Sequence, residues 1–407
     1  MKNIKNIGII AETKEDRVIL IEKMGFYMEN EETNNSPWDF IQCQREMNIV
    51  IEFFVTTESW KNIEINIINI SSIKNLNTFS IILQALKGSV VYISATKGLS
   101  SAMVELWQKG IKNNLSSVIF IGEIAKSGVD FFGLVQDMQE RLPIEPLIIQ
   151  LPIYQDGSFE GFIDLINMRE LIWDKISKDS LEYRANKPKI QKILPKLEQQ
   201  ALKYHQKMLE QIAEVDGNEN FMEKFLDDKE LTTKEIVQAI KVATISKDIV
   251  PVVIGCLSLN MGIRELLDTI INYLPSPFDT PFQKAIELES GREIIIEPKE
   301  NKPFVGLVLD IMSDPFLGKL TVVYIYRGKL VPKQNILNIT KNKKETIGHI
   351  VKREPTIREK VKELFIGEIR YISNLKEAQI GDTLCDPMHK VILKLEQNLN
   401  MNFVEKR

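Results

Sequence analysis

The sequence predicts a doubly wound α/β unit carrying a helical α+β insertion, followed by an antiparallel β-barrel. Three observations carry this. Short apolar runs alternate with helical stretches over residues 1–150, the pattern of a parallel sheet covered by helices. From about Pro152 to Asp248 the chain turns to polar strand-like pieces and then long helices, before one more buried run, IVPVVIGC (249–256), resumes the first pattern. After the proline-punctuated LPSPFDTP (274–281), the apolar period becomes two, as in small barrels.

Taken in order, the first element is a buried strand at Ile7 to Ile10, then the polar loop AETKEDRV and an amphipathic helix. Strand, short loop and helix is how phosphate-binding loops begin, yet this loop has no glycine and no Lys-Ser/Thr pair. VIEFFV (50–55), IEINIINI (63–70), GSVVYISA (88–95), SSVIFIGE (116–123) and PLIIQLPI (146–153) read as further buried strands. SIILQALKG and SSAMVELWQKGIKN have helical spacing between them. In the insertion, Leu194, Leu197, Ala201, Tyr204, Met208, Ile212 and Val215 recur at intervals of three and four. They form one apolar stripe whose simplest use is packing within its own domain. The opposite face, with Glu198, Gln199, Lys203 and Gln206, is where a partner could touch. FVGLVLDIMSD, LTVVYIYRGKLV, NILNIT, ETIGHIVK and ELFIGEIRYIS are the barrel strands. The expected division is 1–280 for the first unit with 152–248 inserted in it, a linker at 281–300, the barrel at 301–390 and a tail at 391–407.

Composition narrows the function. A net charge of −4 gives no global pull toward DNA, RNA or an anionic membrane, so any such contact must come from a local patch. Cys43, Cys256 and Cys385 are far apart and odd in number, which speaks against a disulfide framework or a zinc site and fits a reduced, cytoplasmic compartment. Three histidines make a His-based metal site or triad improbable. No apolar run approaches the ~20 residues needed to cross a bilayer, and the first residues lack the apolar core of a signal peptide.

Three stretches say more: LPIYQDGSFEGFIDLINMRELIWD (151–174), the segment from MEKFLDDKELTTKEIV to LPSPFDTP (222–281), and DIMSDPFLGKLTVVYIYRGKLVPKQNILN (310–338). With GDTLCDP (381–387) closing the barrel, they resemble elongation factor G, in order and across essentially the whole chain. The resemblance implies a P-loop-type G domain, a helical insertion within it called G′, and a β-barrel second domain. The factor's further domains have no counterpart here. It also implies GTP and magnesium as cofactors, small-subunit RNA as a partner of the barrel, and the large subunit's stalk protein as a partner of G′.

GTP hydrolysis needs backbone N–H groups around the phosphates, a Lys on the β/γ-phosphates and a hydroxyl on magnesium. The family loop AHIDAGKTT aligns with AETKEDRVI, so Asp16 replaces the glycine, Arg17 the lysine and Val18 the metal-binding hydroxyl. ERGITI becomes EMNIVI, with Val50 at the threonine. DTPGH becomes NISSI, with Asn69 at the aspartate and Ile73 at the histidine that positions water. The guanine reader NKMD becomes GEIA, Gly122 to Ala125, and the final GSA becomes GCL with Cys256 at its centre. An Asp at a glycine position puts bulk and negative charge where an anion must approach. The strands flanking each altered motif keep their apolar pattern, as a fold does when its chemistry has been released. The expectation is therefore no catalytic residues, no bound cofactor and no metal.

Barrel cations Lys319, Arg327, Lys329, Lys333, Lys343 and Lys344, with Lys341, are the candidate RNA or ribosome contacts, though scattered cations of this kind are commonly a solvated surface. Three functions stand open: a non-enzymatic factor that binds the ribosome or its stalk, an atypical nucleotide binder completed by a second chain, and an interaction protein that uses the fold off the ribosome.

Overall fold

The structure, a computed structural model, describes residues 3–29, 53–70, 76–112, 115–155, 157–173, 187–227, 229–314, 317–353 and 358–395. β1 (Ile4–Ile10) is buried along its whole length and leads into α1 (Lys14–Glu29). β2 (Phe53–Trp60) and β3 (Ile63–Ile70) form an antiparallel hairpin. Its turn residues Lys61 and Asn62 both take positive φ, the geometry that matches the twist of a two-residue hairpin. α2 (Leu76–Ala85), β4 (Gly88–Ser94), α3 (Ser101–Lys112), β5 (Ser116–Gly122), α4 (Phe131–Arg141) and β6 (Pro146–Ile148) follow.

The insertion opens with β7 (Gln150–Gln155), β8 (Ser158–Asp164), β9 (Arg169–Ile172) and β10 (Lys189–Lys192), an antiparallel sheet in the order β10-β9-β8-β7. α5 (Pro195–Ala213), α6 (Glu219–Leu226) and α7 (Thr233–Ser246) pack together beyond it. Ala201, Met208, Ile212 and Val215 of the apolar stripe are buried, whereas Leu194, at the N-cap of α5, is exposed. β11 (Val250–Ile254) then returns to the first sheet, and α8 (Ile263–Tyr273) packs on α1.

That first sheet runs β2-β3-β1-β4-β5-β11-β6 among the described residues. Every pairing in it is parallel except that of β2 with β3. Two sequence readings are refined. PLIIQLPI reads as one strand but is two: Pro146–Ile148 closes the parallel sheet on β11, while Gln150–Gln155 opens the insertion sheet. The Gln150 side chain accepts the Ile254 N–H at 2.9 Å, fastening the switch between sheets. The second refinement is the edge hairpin, since IEINIINI joins the parallel sheet but its partner β2 runs antiparallel.

The stretch 281–300, expected as a linker, holds β12 (Gln283–Glu287) and β13 (Glu293–Ile296), a hairpin. The larger antiparallel sheet contains β14 (Val305–Asp314), β15 (Gly318–Arg327), β16 (Asn335–Asn338), β17 (Lys343–Thr346), β18 (Ile350–Arg353), β19 (Arg358–Val361), β20 (Ile369–Ser373) and β21 (Thr383–Cys385). Its order is β17-β16-β21-β14-β15-β20-β18-β19. β22 (Val391–Leu393) leaves this unit to pair with β12.

The two units share a core. Val55, Ile68, Ile82 and Leu86 of the first pack in one cluster with Leu307, Tyr324, Tyr326 and Tyr371 of the second. Inside the same contact lies a polar network. Arg370 donates to Glu64 at 2.9 Å and Glu368 at 3.2 Å, and Asn6 donates to the Gly367 carbonyl at 2.9 Å. Asn66 bridges Asn6 and Thr57 at 2.8 and 2.6 Å. Buried polar groups cost free energy unless hydrogen-bonded, and here Asn6 and Asn66 satisfy one another.

Candidate functional site

β1, β4, β5 and β11 run parallel, so the loops that follow them gather at one edge of the sheet, where open α/β sheets hold their ligands. At β1 the chain turns through Ala11, Glu12 and Thr13 into α1. The Thr13 hydroxyl accepts the Asp16 N–H at 3.0 Å and donates to Asp16 Oδ2 at 2.7 Å, a self-closed helix cap. Lys97, in the turn after β4, places Nζ 3.2 Å from the same Oδ2. Arg17 is buried and donates from Nη1 to the Ala11 carbonyl at 2.9 Å. Burial lowers the Arg17 pKa, opposed by the charges of Glu15 and Asp16. Val18 lies in the apolar core. Asn69, at the end of β3, is fully buried, and neither atom of its amide has a hydrogen-bond partner among the described residues. Val50 and Ile73 lie outside the described residues.

At the end of β5, the ring of Tyr92 lies over Gly122. A Cβ on Gly122 would stand 2.3 Å from Tyr92 Cε2 and 2.6 Å from its hydroxyl oxygen. Burial raises the Tyr92 phenol well above its ordinary range, with the negative charges of Asp16 and Glu123 adding to it. Glu123 takes a positive φ of 58°. Its carboxylate accepts the Ser258 N–H at 3.2 Å and the Ser258 hydroxyl at 3.0 Å. Cys256 is buried beside it, with Sγ 3.1 Å from Ser258 Oγ, and burial pushes the thiol up. Ala125 is half-buried in the same loop.

Asp16, Arg17, Gly122, Ala125 and Cys256 thus belong to one edge of one sheet. The motif comparison missed Thr13, Tyr92, Lys97, Glu123 and Ser258. Only Gly122 carried a signal for any of them, since a bare glycine at the end of a buried strand marks a close approach. Among the described residues no cluster of three or more His, Cys, Asp or Glu could hold a metal ion.

The barrel cations are dispersed. Lys319 donates to the carbonyls of Lys376 and Ala378 at 2.8 and 2.9 Å, and half-buried Arg327 donates to Pro303 O at 2.9 Å. Lys329 pairs with Glu363 at 3.1 Å. Lys333 occupies a turn at φ 66°, and Lys343 and Lys344 begin β17. Three of these six cations therefore already have partners within the barrel.

A separate cavity of about 340 Å³ lies between the insertion sheet and α8, lined by Trp60, Asp164, Arg169, Arg264, Glu265 and Tyr273 among others. Arg264 sits over the rings of Tyr27 and Trp60, 5.6 and 5.4 Å from their centroids. No described helix is long and apolar enough to cross a membrane.

Comparison with known proteins places this geometry. The family described as elongation factor Tu GTP binding domain matches residues 2–276, and that described as elongation factor Tu domain 2 matches residues 318–385. Elongation factor G of Thermotoga petrophila is 32% identical over 97% of this chain and 56% of its own length. The protein of the same name from Thermotoga maritima is 32% identical over 97% of this chain and 57% of its own. A solved protein from Thermus thermophilus shares the fold, with a TM-score of 0.75 at 18% identity over 95% of this chain and 54% of that one. The chain spans little more than half the length of the curated relatives it matches. A match to the GTP-binding domain over most of the chain, joined to one-third identity across nearly all of it, makes the chain a member of the elongation factor G and Tu family of translation-factor GTPases.

Proposed function

We propose that this chain is an elongation-factor-G-like protein without GTPase chemistry that works by binding the ribosome or its stalk. The observation that carries the first half is the start of α1. The position at which the family has a glycine holds the Asp16 carboxylate, anchored by Thr13 and Lys97. Val18 offers a metal no oxygen. Gly122 and Ala125 offer the guanine base no side-chain acceptor, and Asn69 brings no charge to magnesium's water shell. GTP with Mg²⁺ does not fit this set of residues. Loss of metal and water positioning removes several kcal/mol of transition-state stabilisation, and loss of base-reading groups removes specificity. Asp16, Arg17, Val18, Val50, Asn69, Ile73, Gly122, Ala125 and Cys256 are on this reading a degenerate nucleotide site.

The second half draws on the relatives, which are translation factors. Binding through the barrel to small-subunit RNA, with Lys333, Lys343 and Lys344 the cations without a described partner inside the barrel, needs no nucleotide. Binding through the insertion helices to the stalk protein needs none either.

A titration with fluorescent GDP or GTP and magnesium, up to millimolar, tests the first half: no saturable binding and no thermal shift are expected, and saturation with a shift overturns it. Ribosome co-sedimentation tests the second. The chain is expected in the pellet at low salt and progressively lost as salt rises, because phosphate contacts release counterions. Absence from the low-salt pellet overturns it.

A further inference from the structure

We infer that the former nucleotide site is filled by the chain itself, the Asp16 carboxylate taking the phosphate end and the Tyr92 ring the base end. The inference rests on the proposed loss of nucleotide binding and names what stands in the nucleotide's place. A helix N-terminus presents unpaired N–H groups and a positive dipole end, which together attract an anion. α1, 16 residues long, meets that need from within its own first turn. Asp16 brings the negative charge, Thr13 donates its hydroxyl at 2.7 Å and Lys97 its ammonium at 3.2 Å. An anion, a hydroxyl and a cation are the kinds of group a bound phosphate assembles, here closed on each other. Arg17 completes the turn by donating to the Ala11 carbonyl rather than toward a ligand.

At the other end two changes match. Gly122 removes a side chain, and the Tyr92 ring occupies the space next to it so closely that any Cβ at 122 would overlap it at 2.3 Å. A side chain at 122 therefore requires the Tyr92 ring to shift or shrink. The Glu123–Ser258 hydrogen bonds then tie the GEIA loop to the GCL loop. The substitutions at 16 and 122 each meet a steric or electrostatic counterpart elsewhere in the chain, whereas the Asn69 amide meets none among the described residues.

Thermal melting of the full chain and four variants, Asp16→Ala, Gly122→Ala, Tyr92→Val and the Gly122→Ala/Tyr92→Val double, tests this. The wild-type melting temperature should not move with millimolar inorganic phosphate or GDP. Asp16→Ala should melt about 1–2 °C lower, the effect of losing the carboxylate's bonds to Thr13 and Lys97 at the helix start in a chain this long, and millimolar phosphate should restore part of that loss. Gly122→Ala should melt lower than wild type, and adding Tyr92→Val to it should raise the melting temperature again. An Asp16→Ala protein that melts with the wild type, or that phosphate leaves unmoved, overturns the phosphate-end assignment. Costs of Gly122→Ala and Tyr92→Val that simply add overturn the base-end assignment. Should Gly122→Ala fail to fold, recovery of folding by Tyr92→Val supports that assignment and continued failure opposes it. Nucleotide binding by the wild type would overturn the proposed function itself, whereas failed variant tests in a nucleotide-blind wild type overturn this inference alone.

Discussion

Glu265 stands in the first turn of α8 at the wall of the 340 Å³ cavity, with Asp268 and Asp164 near it and Arg264 the opposing charge. Burial, more than these neighbours, pushes its pKa from 4.5 up to about 7. The sign follows: the folded chain keeps a proton that the unfolded chain has released above pH 4.5. Stability from this group is therefore complete below pH 4.5 and is lost as pH rises through 7. The residue as a whole is half-buried, so the loss is on the order of 2 kcal/mol, less than the full shift implies. Urea midpoints for wild type and Glu265→Gln between pH 5 and pH 8 should diverge, the wild type falling more steeply. Parallel curves would remove the assignment. At this scale the sequence is informative about what is missing and mute about what replaced it. Asp16, Val18 and Gly122 are visible departures from a pattern, but the Tyr92 ring over Gly122 joins positions on different strands, and no local signal reports that.

Single elements are set by simpler rules. IKNIGII is buried along its whole length in a strand flanked by β3 and β4, and its two polar residues are hydrogen-bonded, Lys5 to the Leu274 carbonyl and Asn6 to the Gly367 carbonyl. The insertion sheet depends on Gly161, where a Cβ would stand 2.0 Å from the Leu171 carbonyl oxygen. Backbone cannot yield as a flexible side chain does, so Gly161→Ala should cost more than about 2 kcal/mol. Chemical denaturation checks it, and a cost below about 0.5 kcal/mol would show that β8 and β9 can separate without penalty. PLIIQLPI shows where element reading fails. Apolar character is continuous through Ile149, but the hydrogen-bond partners change from β11 to β8 within that run, and periodicity does not specify partners.

On the scale of the whole molecule, the contact between the two units carries the buried pairs of Arg370 with Glu64 and Glu368, whose side chains are 3%, 16% and 1% exposed. Tyr371 reinforces them by accepting the Val55 N–H at 3.1 Å. Removing one partner of a buried pair leaves an uncompensated charge, so Arg370→Met should cost about 3–5 kcal/mol. Because that charge lies between the units, calorimetry should show the wild type melting in one transition and the variant in two. A single transition in the variant would mean that the apolar part of the contact, Val55, Ile82, Tyr324 and their neighbours, is sufficient to couple them.

The sequence by itself determined the fold class, the existence of most strands and helices, the family, and which motif positions depart from it, because apolar periodicity and motif identity are local properties. Tertiary structure alone decided that 281–300 forms a hairpin, that Lys319, Arg327 and Lys329 are held within the barrel, and that Asn6, Asn66 and Arg370 make one buried network across two units. It also decided what lies at the altered site: Thr13 and Lys97 on Asp16, Tyr92 on Gly122, Ser258 on Glu123. Apart from the local Thr13–Asp16 cap, each of these joins residues distant in the chain. Their pairing is fixed by close packing and by the need to satisfy buried polar groups, and neither leaves a periodic trace in one sequence.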